Sequence, residues 1–158
     1  MKRLLSIAVI VTSFLSSSAQ ATSVDKWNSD KIQGFDRYWT TNNEGSSFVV
    51  WCNPKRRLNG TLLQVLIEGK SPRPLSRVKL VLDRQALELQ VNKQGYIDTN
   101  CPTCSDGFDY VWHMLRSSHS LVVKFENDLA AGFSLRGAKQ VLPGPACPTD
   151  WKKNHSGT

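Results

Sequence analysis

Cys101-Pro102-Thr103-Cys104 is the segment of this chain best equipped for chemistry. Two thiols three residues apart can pair with each other. At a helix N-terminus the helix dipole lowers the first thiol's pKa, which is what a redox catalyst needs. An amphipathic helix does begin nearby, because Phe108, Val111, Trp112 and Leu115 fall at i, i+3, i+4 and i+7. That helix is expected over Asp106 to Arg116, capped by Ser105 or Asp106. The turn-type residues Ser105, Asp106 and Gly107 would then separate it from the first cysteine. The preceding Ile97-Asp98-Thr99-Asn100 is polar and lacks the aromatic residue found before the first Cys of redox motifs. No βαβ pattern surrounds the segment. A structural disulfide is therefore expected, with thiol–disulfide oxidoreductase activity at Cys101 and Cys104 as the alternative. The zinc signal is weak, since a single C-x-x-C with Cys52 and Cys147 far away lacks a metal-site spacing. No metal and no other cofactor is expected.

The remaining titratable residues make poor catalytic sets. His113 lies in the helix but off its apolar stripe, His119 follows in a Ser-rich loop, and His155 is in the tail. Neither a G-x-S-x-G elbow nor an H-E-x-x-H pair is present, so no catalytic residue is assigned. Asp83-Arg84 at a strand end reads as a turn or a surface ion pair. Trp39 and Trp51 could form an exposed recognition platform, because aromatic residues dominate binding surfaces. The basic cluster Lys55-Arg56-Arg57, followed by the turn signal Asn59-Gly60, stands close to Trp51 in sequence and completes the candidate binding surface. There is no long Lys/Arg run, and nucleic acid is not an expected partner.

The first residues give the cysteines a context. Lys2 and Arg3 precede an apolar run from Leu4 to Leu15, and Ala19-Gln20-Ala21 is a small-x-small cleavage pattern. Residues 1–21 read as a signal peptide cut after Ala21. The run is shorter than the roughly 20 residues of a membrane span, and no later stretch is apolar enough for one. Residues 22–151 then form one domain, with a polar tail at 152–158. Export to the bacterial periplasm or beyond makes four cysteines a disulfide framework. Three pairings are open, and Cys52–Cys147 with Cys101–Cys104 is preferred. The formal charge of +7 falls to about +5 when Lys2 and Arg3 are removed. That balance serves solubility and also suits an anionic surface, such as a membrane, a cell-wall polymer or an acidic protein.

The elements that must position these residues are mostly strands. Residues 22–47 read as a loose arm leading to a short strand at Tyr38–Thr41, and Asn42–Gly45 as a turn. Phe48–Cys52, Thr61–Glu68, Arg77–Leu82, Leu87–Val91, Leu121–Phe125 and Ala131–Leu135 carry strand patterns, several alternating apolar with polar. A second short helix is expected over Gly137–Leu142, stopped by Pro143-Gly144-Pro145. Six or seven strands with two helices give a mainly β, α+β class. The expected architecture is an antiparallel β-sandwich or partly open barrel with one or two short helices packed on it.

The arrangement resembles small exported proteobacterial proteins of the invasion-associated locus B type, and it is similar to periplasmic accessory proteins of type VI secretion clusters. The resemblance rests on Tyr38-Trp39, Phe48–Cys52, Val78–Asp83, Ser120–Phe125, Gly132–Ala138 and Cys147. Within it, Phe133-Ser134-Leu135-Arg136-Gly137 fits an F-x-L-x-G helix start. It implies a β-sandwich-like domain and a non-enzymatic protein of the envelope. Such a protein would act by protein–protein contact, for a secretion or conjugation apparatus or as an immunity or inhibitor protein.

Overall fold

The computed structural model describes residues 24–53, 55 and 60–156. The expected signal peptide, Arg56, Arg57 and Asn59 lie outside the described residues. Eight strands form two antiparallel sheets: β1 (Asn28–Ile32), β2 (Phe35–Thr41), β3 (Ser47–Cys52) and β4 (Thr61–Leu66) in the first, and β5 (Arg77–Leu82), β6 (Gln85–Gln90), β7 (Ser120–Phe125) and β8 (Ala130–Ser134) in the second. The orders are β1-β2-β3-β4 and β6-β5-β7-β8. The helices are α1 (Pro102–Ser117), α2 (Ala138–Val141) and α3 (Asp150–His155). This is the expected open β-sandwich with helices added.

Alternation builds the core. Phe48 and Val50 of β3, Val78, Leu80 and Leu82 of β5, and Leu121 and Val123 of β7 point inward and are fully buried. Burying each such side chain stabilises by about 1.5–3 kcal/mol. Phe48 meets Phe133 of β8 at 6.3 Å between ring centroids, which joins the sheets. Helix α1 buries the foreseen stripe of Phe108, Val111, Trp112 and Leu115. It touches both sheets. Trp112 stands edge-on to Tyr38 of β2 at 5.9 Å, and Gly107 lies so close to β6 that a Cβ there would sit 2.8 Å from Leu89 Cδ2. Any larger residue there would have to displace the end of the Leu89 side chain.

Three expectations are corrected. The loose arm is a hairpin, β1–β2, closed by Gln33-Gly34 with φ of +49° and +84°. Gln-Gly is a weaker turn signal than Asn-Gly, and the edge strand Asn28–Ile32 carries too few apolar residues to announce itself. Trp27, just before it, is buried, with its indole N–H donating to the Ser134 carbonyl at 3.2 Å. The polar tail also folds. Thr149 caps α3 by accepting from the Lys152 N–H, and Asp150 is buried in its first turn. Finally, α1 starts at Pro102, four residues before the expected start at Asp106. Ser105, Asp106 and Gly107 are helical, and Cys101 itself is the N-cap with Pro102 at the first helical position. Proline suits that position because its missing N–H would be unpaired there anyway.

Both disulfides take the preferred pairing. Cys52–Cys147 spans 95 residues with a Cα–Cα distance of 5.9 Å, and Cys101–Cys104 closes at 4.9 Å.

Candidate functional site

The outer face of the first sheet gathers the aromatic residues singled out from sequence. The registers place Asp30, Arg37, Trp51 and Leu62 in one cross-strand row and Asn28, Trp39, Val49 and Gln64 in the next. Ile32 and Phe35 form a third pair on the same face. All point away from the core, since their strand neighbours Tyr38, Thr40, Phe48, Val50, Leu63 and Val65 point into it. A solvated face of an antiparallel sheet is normally polar. This one carries Ile32, Phe35, Trp39, Val49, Trp51, Leu62 and Leu66. Most of them are half-buried.

The face is also held rigid. Phe35 stands perpendicular to Trp51 with centroids 5.9 Å apart. The Trp51 indole N–H donates to Gln64 Oε1 at 3.0 Å. The Arg37 guanidinium lies over the Trp39 ring at 4.3 Å and near the Trp51 ring at 5.5 Å. Its Nε donates to Asp30 Oδ1 at 2.9 Å, and a second nitrogen binds Oδ2. This bidentate pair fixes the guanidinium between the two indoles. Cation–π contact adds about 0.5–1 kcal/mol at such half-exposed sites. Arg37 is thus neutralised within the face, so the face as a whole presents apolar surface with little net charge. A shallow groove runs beside it, between Phe35, Trp51, Leu62, Gln64 and Tyr96.

Of the basic cluster, Lys55 is exposed at the turn beyond β3. The structure brings Trp39 and Trp51 together through Arg37, which sequence reasoning did not single out. The available signal was its place two residues before Trp39 on the same strand face.

The groundwork beneath this face is a buried clasp. Asp150, 3% exposed, accepts from the Gly60 and Thr61 N–H groups at 2.9–3.1 Å and pairs with Lys153 Nζ at 2.7 Å. Lys153 also donates to the Asn53 carbonyl at 2.9 Å. Thr99 donates to the Thr61 carbonyl at 2.6 Å, and the Ser105 and Thr149 hydroxyls meet at 2.6 Å. With Cys52–Cys147, these contacts fix the ends of β3 and β4 to the C-terminal segment.

The second sheet's outer face is different in kind. Lys79 faces Glu88 on one side and Lys124 on the other, and Val81 lies beside Val122. Its ends are tied by exposed carboxylates. Asp83, at φ +52°, accepts from the His119 and Ser120 N–H groups at 3.0 Å, and the first of these bonds chiefly holds its pKa below the ordinary value. Glu126 accepts from the Arg77 N–H at 3.0 Å and from the Arg73 guanidinium at 2.9 Å, with the same effect. His113 and His119 are exposed, and His155 stacks on Trp151 with ring centroids 3.6 Å apart. Among the described residues no three His, Cys, Asp or Glu side chains gather closely enough to hold a metal ion, and no helix is long and apolar enough to cross a membrane.

No curated protein and no solved structure matches this sequence. A family model, YfjT, matches residues 25–142, from the first described turn through α2. The match covers both sheets, the aromatic face and the C-x-x-C helix, and the chain belongs to the YfjT family.

Proposed function

We propose that this chain is an exported, disulfide-stapled binding protein of the bacterial envelope that acts by protein–protein contact. The contact is made with the outer face of the first sheet. One observation carries the reading: a rigid, charge-neutral aromatic face where an antiparallel sheet would ordinarily present polar residues. Trp and Arg in a preorganised cluster are the residue types that dominate interface energetics. The partner surface is apolar at its centre, because the Arg37 charge is already met by Asp30. Lys55 at the border suits an acidic rim on that partner. Service to a secretion or conjugation apparatus, or inhibition of a toxin or envelope enzyme, fits such a surface. The two disulfides and the N-terminal sequence pattern support export.

The test is capture from envelope extract with disulfide-intact protein, run beside a Trp51→Ala variant. The wild type should retain one partner in fixed stoichiometry, and the variant should lose it. Equal retention by both proteins would remove the aromatic face from the account.

A further inference from the structure

We propose that Cys101–Cys104 is a thiol–disulfide exchange site that oxidises dithiol proteins, separate from the aromatic face. The argument begins with what the bond does not do. It closes a gap of three residues within one helical turn, so it restricts the unfolded chain little. Helix α1 is held by Phe108, Val111, Trp112 and Leu115 whether or not the bond exists. Cys52–Cys147 joins distant segments, and both its residues are 6% exposed. Cys101 and Cys104 are half-exposed.

The position also suits exchange. Cys101 Sγ is the helix cap and accepts from the Cys104 N–H at 3.0 Å, with the Thr103 hydroxyl at 3.4 Å. A thiolate formed there keeps that N–H and meets the positive end of a 16-residue helix. Both effects lower its pKa and make it a good leaving group. A groove opens at the bond. Thr103 and Cys104 line it together with Arg77, Glu88, Leu89 and Gln90 of β5 and the edge strand β6, and with Asp98. An extended peptide can lie along it.

The step is balanced within the two proteins. A substrate thiolate attacks Cys104 Sγ, a substrate–Cys104 disulfide forms, and Cys101 leaves as the thiolate with the electron pair. The substrate's second thiolate then attacks the substrate sulfur of that bond and releases Cys104. The substrate departs as a disulfide, and its two electrons remain on Cys101 and Cys104. A disulfide donor returns the pair to the oxidised form by the same steps in reverse.

The experiment equilibrates the folded full domain with graded mixtures of reduced and oxidised glutathione, then counts alkylated thiols by mass. Cys101–Cys104 should open in millimolar reduced glutathione while Cys52–Cys147 stays closed and the circular dichroism is unchanged. The rate of Cys101 alkylation should titrate below the ordinary thiol range near pH 8.5, giving roughly tenfold faster reaction at neutral pH than an unperturbed thiol. A Thr103→Val variant should slow it, and a reduced dithiol peptide should be oxidised by the wild type but not by Cys104→Ser. A pair that stays closed under these mixtures, or a Cys101 that titrates as an ordinary thiol, would overturn the proposal. Trp51→Ala should leave every one of these readouts unchanged, so failure here is distinct from failure of the binding reading.

Discussion

Both sheets have four antiparallel strands, and they differ in how each is finished. The first turns Phe35, Trp39 and Trp51 outward and is anchored by a buried disulfide and a buried ion pair. The second turns Lys79, Glu88 and Lys124 outward and is tied at its ends by exposed carboxylates. Rigid anchoring beneath an apolar face is what a recognition surface requires, because a pre-ordered face loses less entropy on binding. An alternating charged face needs no partner but water. The proposed recognition role therefore falls on the first sheet, while the second presents an ordinary solvated face.

The comparison can be broken most strongly at the anchor. Replacing Cys52 and Cys147 together with alanine removes a bond spanning 95 residues, and chemical denaturation should show a loss of about 4–5 kcal/mol. Asp150→Ala leaves Lys153 buried without its carboxylate, and the same measurement should show a loss of about 3–5 kcal/mol. Both changes should loosen the β3–β4 end of the first sheet first, which amide hydrogen exchange at Trp51 and Leu62 would report.

On the faces themselves the effects separate binding from stability. Trp51→Ala should weaken partner binding by about 2 kcal/mol, or roughly 30-fold, if Trp51 is a central anchor. Calorimetric titration checks this. Acid should act on the second sheet's ties. Asp83 and Glu126 are held below their ordinary values of 3.8 and 4.5, so their contribution is present above those values and is lost as pH falls through the folded ones. The melting temperature should drop over that range, and Asp83→Asn should flatten its acid limb. Smallest of all, Lys79→Ala with Lys124→Ala should change stability by no more than about 0.5 kcal/mol.

Much of the fold was legible because alternation marks half-buried strands. Val78, Leu80 and Leu82, or Leu121, Val123 and Phe125, declare an inward face directly. The helix stripe from Phe108 to Leu115 did the same, but its start did not. Apolar spacing reports the buried turns of a helix, and the first turn of α1 is capped by a sulfur rather than by Ser or Asp. The β1–β2 hairpin and α3 escaped because their partners are distant. Asp150 looks like a tail residue until Gly60 and Thr61 are placed against it, some ninety residues away in sequence. Trp39 and Trp51 were visible as recognition candidates, yet their rigidity depends on Arg37, Asp30 and Gln64, which only strand register brings into line.

The central claim is tested most directly by measuring the affinity of the captured partner for Trp51→Ala and for Lys79→Ala with Lys124→Ala, side by side. The account predicts a loss of roughly 30-fold for the first and wild-type affinity within about twofold for the second. Equal affinity for all three proteins, or a loss confined to the lysine variant, would contradict it.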